Sequence, residues 1–284
     1  MLGDEINTSH GSLSVIDTKG EGVPVVMVHA NSLCKECFRP QIQALGGIRR
    51  VIAFDLPGHG ASANAINPRR TYSIPGYADV LLEALVQLGV KRFIGVGHSL
   101  GGHVILEMIA RGALIDGAMI FGTPPIENTP EGLLVGFKPS PEMAYTGSAV
   151  LSEEQIGMVV AHALGREAAR EPFFRNAVRR TDGLAREYLV EAVLRGDGSN
   201  QRTTVETSPV PLAILNGESD AVVNLDYIDG LRFSNVWESG PIRIPLAGHG
   251  LHWEQSAKFN EILLRFEDFV TERVNQLALG KAQA

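Results

Sequence analysis

The stretch FIGVGHSLGGHV, which begins at Phe93, constrains the fold of this chain more than any other segment. It joins β-forming residues to helix-forming residues through the pattern Gly97-x-Ser99-x-Gly101. A strand that feeds a helix through this pattern makes a sharp turn and lifts the serine hydroxyl above the sheet. The glycines are needed because the two backbones approach closely there. A chance glycine-rich turn is the alternative, but the flanking strand and helix favour a nucleophilic Ser99.

Short apolar runs alternate with helical stretches along much of the chain. Strands covered on both faces are predicted at Val23–His29 and Val51–Asp55, where the apolar runs are continuous. Further strands are predicted at Phe93–Gly97, Ala118–Phe121, Pro211–Asn216 and Ile242–Leu246. Ser12–Asp17 alternates like an edge strand, and helices are predicted over residues 38–45, 73–88, 100–111 and 253–279. The alternation predicts an α/β fold with a mostly parallel central sheet flanked by helices.

Residues 124–208 interrupt this rhythm. They contain helix signals, with helix starts at Ser152 and at Thr181-Asp182, but no convincing buried strand. A helical insert between two late strands would cover the carboxyl ends of the strands, where open α/β sheets bind ligands. The sequence therefore predicts a core domain of residues 1–123 and 209–284 with a helical cap domain of residues 124–208.

The predicted nucleophile needs a base, because a serine hydroxyl alone is weakly nucleophilic. In chains with this kind of serine turn, an acid follows the serine and a histidine follows the acid. Of the eight histidines, His249 and His252 follow the last predicted strand. His249 lies on a glycine-flanked loop, which favours it as the base. His252 begins the final helix and suits a structural or pocket-lining role.

Three carboxylates could orient the base: Glu218, Asp220 and Asp226. All three follow the predicted strand PLAILN. The spacing G-x-x-D just past the end of that strand favours Asp220, and Glu218 is the main rival. Asp226 suits a helix cap or a solvent-facing charge.

An oxyanion needs two backbone N–H donors in such a site. The residue after the nucleophile, Leu100, supplies one donor at the start of its helix. The loop after the early strand reads His29-Ala30-Asn31-Ser32, and the N–H of Asn31 is the predicted second donor. His29 is expected to brace this loop.

Composition excludes several classes of protein. The chain has 284 residues, of which 44% are hydrophobic and 20% charged, as in a soluble globular enzyme. Its net charge of -7 argues against nucleic-acid and anionic-lipid partners. It has no apolar run of about 20 residues and no signal-like N-terminus, so we expect a cytoplasmic protein without a membrane partner. Cys34 and Cys37 alone cannot complete a tetrahedral zinc site.

The motifs HANS, DLPGHG, GHSLGG, the G-x-x-D loop and GHG resemble the α/β-hydrolase superfamily across nearly the full length of the chain. The segments YSIPGYAD, EMIARG, GTPP, GFKPSPEMA and RRTDGLAR resemble more closely the metal-independent, quorum-quenching N-acyl-homoserine lactonases of that superfamily. This likeness includes the predicted cap. It implies Ser99 as nucleophile, His249 as base, Asp220 as acid, and Asn31 with Leu100 as the oxyanion hole.

The sequence departs from that family at three positions. Asp220 stands where the family carries glutamate, and Ala30 replaces a glycine, which would be strained if that position required a positive φ. Val159 stands where the family has a cap tyrosine thought to contact the lactone. The residues predicted to contact substrate are Asn31, Phe137, Met143, Val159 and His252.

The resemblance implies a serine hydrolase that opens the ester bond of a lactone, with N-acyl-homoserine lactone as the favoured substrate, through an acyl-enzyme on Ser99. No metal or cofactor is expected, since the chain lacks the His-x-His-x-Asp-His cluster of zinc-dependent lactonases. The alternatives are a carboxylesterase or a C–C bond hydrolase of the same fold, and a small-molecule receptor with residual turnover. The expected partner is a small lactone or ester, and a homodimer is left open.

Overall fold

The computed structural model describes residues 3–282, with side chains described for residues 3–279. Within residues 3–282, eight strands form one sheet: β1 (Asp4–Thr8), β2 (Gly11–Asp17), β3 (Val25–Val28), β4 (Val51–Phe54), β5 (Phe93–His98), β6 (Ile115–Phe121), β7 (Leu212–Gly217) and β8 (Ile242–Ile244). Their order is β1-β2-β4-β3-β5-β6-β7-β8. The pairs β1–β2 and β2–β4 are antiparallel and the remaining pairs are parallel. The predicted mostly parallel sheet is confirmed.

Helices flank this sheet on both faces. Those that precede β6 are α1 (Arg39–Leu45), α2 (Pro68–Thr71), α3 (Ile74–Gln87) and α4 (Leu100–Ala110). Between β6 and β7 lie α5 (Pro130–Gly136), α6 (Glu153–Leu164), α7 (Pro172–Arg180), α8 (Gly183–Leu194) and α9 (Gln201–Thr207). After β7 come α10 (Leu225–Asp229), α11 (Leu251–Glu254) and α12 (Ser256–Ala282).

The central strands are buried on both faces, which explains their continuous apolar sequences. In β3, Val26 and Val28 belong to the apolar cluster under α3 and α4. Val25 and Met27 point the other way, into the cluster that contains residues of α1 and α12. Successive side chains of a strand alternate between the two faces, so both layers need apolar residues from the same short run.

The segment between β6 and β7 is helical, as predicted, and two of its helix starts lie where the sequence placed them. Ser152 forms a capping box with Gln155 at the start of α6. The Asp182 side chain accepts a hydrogen bond from the N–H of Leu184 at the start of α8. None of the helices in the described part of the chain has the length and apolar character that crossing a bilayer requires.

Two elements differ from the prediction. Strand β1 was not predicted, because Ile6 is its one buried residue and the flanking positions are polar. The final helix was predicted as continuous from Trp253, but the chain forms the short helix α11 and restarts as α12. Gln255 separates the two with φ -126° and ψ 49°, which is not a helical conformation.

Candidate active site

Ser99 occupies a strained turn between β5 and α4, with φ 51° and ψ -113°. A Cβ at Gly97 would lie 2.5 Å from the backbone of Gly101, and a Cβ at Gly101 would overlap the carbonyl oxygen of Val28. Glycine at both positions therefore lets the helix approach the sheet closely. The end of β6 also holds this turn in place, since the Ser99 N–H donates to the Phe121 carbonyl oxygen at 2.9 Å.

His249 and Asp220 meet although they lie on separate loops. The two atoms His249 Nδ1 and Asp220 Oδ2 are 2.9 Å apart, and the residues are 6% and 1% exposed. The other carboxylate oxygen of Asp220 accepts the backbone N–H groups of Val222 at 2.7 Å and Val223 at 3.0 Å. The loop after β7 therefore holds this carboxylate in one orientation toward the imidazole.

The ionisation of Asp220 is set by opposing effects. Burial by itself would raise the pKa of this carboxyl, but the charge and hydrogen bond of His249 and the backbone donors of Val223 and Val222 outweigh it. The net result is a pKa below the usual value for aspartate. Asp220 therefore stays ionised at neutral pH, where it can hold the Nδ1–H tautomer of His249 and stabilise the imidazolium.

The rival acids lie away from this imidazole. Glu218 is exposed to solvent on the same loop. The Asp226 side chain is 97% exposed and pairs with Arg243 at 3.6 Å. Of the three carboxylates that the sequence offered, the structure brings Asp220 to His249.

The loop after β3 lies beside the turn at Ser99 and is held in place by His29. The His29 ring is fully buried, with Nδ1 2.7 Å from the Ala30 carbonyl oxygen and Nε2 accepting the Leu56 N–H at 3.0 Å. Burial lowers the pKa of His29 to about 4, so the ring is neutral and its two bonds fix one tautomer.

The alanine that replaces a glycine in this loop carries no positive φ; the left-handed residue is Ser32, with φ 62°. The strain considered for Ala30 therefore does not arise. The Asn31 side chain donates to the Thr146 carbonyl oxygen at 2.9 Å, which ties this loop to the helical segment above it.

A cavity of about 450 Å³ lies between the strand ends and the helices that connect β6 to β7. Ser99 and His249 line it together with the two predicted oxyanion residues, Asn31 and Leu100. Three of the residues predicted to contact substrate also line it: Phe137, Met143 and Val159. About half of the remaining lining residues are aliphatic, so the cavity suits a ligand with an apolar arm.

His252 lies elsewhere and does not support its predicted substrate contact. Its ring is fully buried among aromatic rings, with centroid distances of 5.2 Å to Phe38 and 4.9 Å to Phe121. His98, which directly precedes Ser99, stacks on Phe121 with the ring centroids 5.0 Å apart. The His98 Nε2 is 3.1 Å from the His249 carbonyl oxygen, so this ring steadies the loop that carries the predicted base.

Sequence reasoning missed two histidines on the cavity wall, His103 and His162. His103 follows Ser99 by four residues on α4, and His162 follows Val159 by three on α6, so helical spacing alone could have identified both. The end of α6 packs on the loop of His249, since a Cβ at Gly250 would lie 2.8 Å from the Ala163 carbonyl oxygen.

The two cysteines are buried and free. Burial is the main cause that raises the pKa of both Cys34 and Cys37 well above the usual value for a thiol, so neither is a reactive thiolate at neutral pH. Among residues 3–282, no group of three or more histidine, cysteine, aspartate and glutamate side chains is placed to share a metal ion. The expectation of a metal-free reaction stays a prediction.

Known proteins share this architecture. The family model described as "Alpha/beta hydrolase family" matches residues 25–262. The solved structure of the N-acyl homoserine lactonase AidH complexed with N-butanoyl homoserine is 40% identical, covers 95% of this chain and 98% of that one, and superimposes with a TM-score of 0.91. A serine-to-glycine variant of AidH complexed with N-hexanoyl homoserine lactone gives a TM-score of 0.92 at the same identity.

More distant relatives carry other activities. A 2-hydroxy-6-oxononadienedioate/2-hydroxy-6-oxononatrienedioate hydrolase from Pseudomonas sp is 27% identical over 76% of this chain and 76% of its own length. A bifunctional esterase/perhydrolase from Acinetobacter calcoaceticus is 25% identical over 76% of this chain and 81% of its own length. The predicted resemblance is confirmed, and the chain belongs to the alpha/beta hydrolase family.

Proposed function

We propose that this protein hydrolyses the ester bond of N-acyl-homoserine lactones through an acyl-enzyme on Ser99. The observation that carries the proposal is the extent of the similarity to AidH, which at 95% of this chain takes in most of residues 124–208 as well as the strand ends. In enzymes of this architecture the inserted helices form much of the substrate pocket. Shared helices therefore argue for a shared substrate class more strongly than shared catalytic residues do.

The first step forms the acyl-enzyme. The Nε2 of His249 takes the proton of the Ser99 hydroxyl while the Ser99 oxygen attacks the ester carbonyl carbon of the lactone. Asp220 accepts the Nδ1–H of His249 and stabilises the imidazolium that forms. When the intermediate collapses, the ring oxygen leaves and takes the proton from His249. The leaving alcohol stays attached to the acyl-enzyme, since it belongs to the same molecule.

The negative oxygen of the intermediate is held by the backbone N–H groups of Leu100 and Asn31. Leu100 is the first residue of α4, where N–H groups have no partner within the helix and the helix dipole favours negative charge. Each donor of this kind contributes about 3 kcal/mol to the transition state.

The second step releases the product. His249 removes a proton from a water molecule, which attacks the acyl carbon, and the Ser99 oxygen leaves and regains its proton. The product is the open N-acyl homoserine. This sequence needs no metal, because the imidazole supplies the base and the backbone supplies the charge stabilisation.

The domain division is part of the proposal. Residues 124–208 act as a cap that closes the cavity and selects the acyl arm, and residues 1–123 with 209–284 form the core that performs the reaction. The cavity supports this division, since Phe137, Met143 and Val159 line it from one side and Ser99 and His249 from the other. A homodimer and a cytoplasmic location stay predictions.

A carboxylesterase is the second candidate, favoured by the esterase/perhydrolase among the relatives. A C–C bond hydrolase that acts on a dioate substrate is less well matched to this cavity. The lining contains the cation Lys138, while its other charged side chains are the carboxylates Glu107, Glu142 and Asp197, which offer the second carboxylate of a dioate no partner.

The test is mass-spectrometric detection of ring-opened product from N-butanoyl and N-dodecanoyl homoserine lactone. We expect a product heavier than the lactone by the mass of one water. A chelator should leave its rate of formation unchanged, and Ser99→Ala should lower that rate about 10⁴-fold or more. A panel of p-nitrophenyl esters run in parallel identifies the esterase. Turnover of the esters without turnover of either lactone would overturn the lactonase proposal, and binding without turnover of any of them would indicate a receptor.

A further inference from the structure

The wall of the cavity carries a buried pair of polar side chains that the proposed reaction does not use. His103, on α4, and Gln201, at the start of α9, both line the cavity and are 7% and 4% exposed. The His103 Nδ1 and the Gln201 Oε1 are 2.6 Å apart. This pairing offsets the cost of burying the two side chains, but among the described residues no hydrogen bond engages the His103 Nε2, which leaves that atom able to bind a ligand group.

The contacts of Gln201 fix which nitrogen of His103 carries the proton. The Gln201 Nε2 donates to the main-chain carbonyl oxygen of His103 at 3.4 Å, so the Gln201 Oε1 is the atom that faces the His103 ring. An oxygen of this kind only accepts, and the His103 Nδ1 must therefore be the donor. Burial lowers the pKa of His103 to about 4, so the ring is neutral at neutral pH and Nε2 carries a lone pair.

The position of His103 on α4 puts its ring on the wall of the same cavity that Ser99 lines. Side chains of a helix lean toward its N-terminus, so His103 leans over the first turn of α4, toward Ser99. Its ring lies against Phe137 of the helical segment, with the two ring centroids 6.0 Å apart. Beyond the scissile carbonyl of an acyl-homoserine lactone come the ring α-carbon, the amide, the second acyl carbon and then the third acyl carbon.

We propose that Nε2 of His103 accepts a hydrogen bond from a donor on the acyl arm of the substrate, and that it thereby determines specificity. The inference rests on the proposed lactonase function. Two groups supply such a donor: the amide N–H, present in every N-acyl-homoserine lactone, and a hydroxyl on the third acyl carbon. A keto group at that carbon only accepts, so it would face the His103 lone pair with no hydrogen to share.

Two substrate pairs test this proposal. The first compares N-octanoyl homoserine lactone with α-octanoyloxy-γ-butyrolactone, in which an ester oxygen replaces the amide N–H. The second compares the 3-hydroxyoctanoyl with the 3-oxooctanoyl homoserine lactone. For at least one pair we expect kcat/KM to favour the donor-bearing member by about 10–100-fold in the unaltered protein. The pair that shows the preference identifies the donor.

The variants assign the preference to the ring nitrogen. In His103→Phe we expect the ratio of kcat/KM between the donor-bearing substrate and its partner to fall to about 1, mainly because kcat/KM falls for the donor-bearing substrate. His103→Asn keeps a polar atom near the position of Nδ1 for Gln201 but lacks Nε2, and should give the same ratio if the phenylalanine variant does not fold. In Gln201→Leu the His103 Nδ1–H loses its acceptor, so the ring can also adopt the tautomer with the proton on Nε2. This variant should lower the same kcat/KM ratio about 3–10-fold without abolishing turnover.

The outcomes separate this inference from the proposed function. If the unaltered protein turns over homoserine lactones but both ratios stay unchanged in the His103 variants, the role of His103 is wrong and the lactonase proposal stands. If the variants slow both members of each pair equally, His103 is structural and the inference is again overturned. If no lactone is turned over, the proposed function fails and this inference fails with it.

Discussion

The two walls of the cavity are built differently. The wall formed at the strand ends holds its polar groups by short hydrogen bonds, as the Asp220 carboxylate shows with one imidazole and two backbone donors. The opposite wall, formed by residues 124–208, contributes half-buried apolar side chains such as Phe137, Met143 and Val159. We therefore expect the strand ends to perform the reaction and the helical wall to set the length of acyl arm that fits.

The largest effect on turnover should come from Asp220, the acid that orients His249 in the wall formed at the strand ends. Asp220→Asn should lower kcat about 10³–10⁴-fold, because an amide no longer holds the His249 tautomer or stabilises its charge. Glu218→Gln, two residues away on the same loop and exposed, is the matched control and should stay within about 2-fold. Steady-state kinetics on one lactone measures both. A larger loss in Glu218→Gln would assign the acid to Glu218.

The close packing at the strand ends should be sensitive to a single methyl group. Gly101→Ala should lower the free energy of unfolding by about 3 kcal/mol, because the new Cβ would overlap the Val28 carbonyl oxygen. Gly47→Ala adds the same group where no atom lies within 4 Å and should change it by at most about 0.5 kcal/mol. Urea unfolding measures both variants. Equal stability of the two variants would contradict the close approach of α4 to β3 at Gly101.

Buried neutral histidines near the strand ends should make stability depend on pH. Burial is the main cause that lowers the pKa of His59 to about 3, against 6.5 in the unfolded chain, so the unfolded chain takes up the proton first. The contribution of His59 is fully present above about pH 6.5 and is lost as the pH falls toward 3. At pH 5 the loss is about 2 kcal/mol.

His59→Phe isolates this contribution. The free energy of unfolding of this variant should change less between pH 7 and pH 5 than that of the unaltered protein, by about 2 kcal/mol. Urea titrations at both pH values measure the difference, in which the shared carboxylates cancel. Parallel pH dependences of the two proteins would show that His59 is not held neutral by burial.

The helical wall should respond through substrate choice, and by the smallest amount. Val159→Trp fills part of the cavity and should lower kcat/KM for N-dodecanoyl homoserine lactone about 10-fold more than for N-butanoyl homoserine lactone. Val150→Trp places the same bulk at a position of the same segment that is 87% exposed, and should affect neither. An equal loss on both chain lengths would place Val159 outside the path of the acyl arm.

The parts of the site that were predictable from sequence depend on local constraints. The turn at Ser99 follows from glycines within two residues of it, and the loop of His249 follows from its place after a strand. Asp220 could be favoured over Glu218 by spacing, since the chain must reach a fixed point beyond β7. Each of these predictions needed only the backbone on either side of the residue.

The parts that sequence did not reveal depend on contacts between distant segments. His103 and Gln201 are far apart in sequence, and their pairing arises only when α9 packs beside α4. His252 was expected to contact substrate because it follows His249 closely, but it lies buried against Phe121 and Phe38. Strand β1 carries one buried residue, Ile6, so pairing with β2 rather than its own pattern makes it a strand.

The most direct test of this account is to label the protein with a fluorophosphonate and to map the modified peptide by mass spectrometry. We expect one label per chain, on Ser99, with loss of lactone hydrolysis in proportion to labelling and no label in Ser99→Ala. Full hydrolytic activity in a protein completely labelled at Ser99, or loss of activity with the label on another residue, would contradict the account.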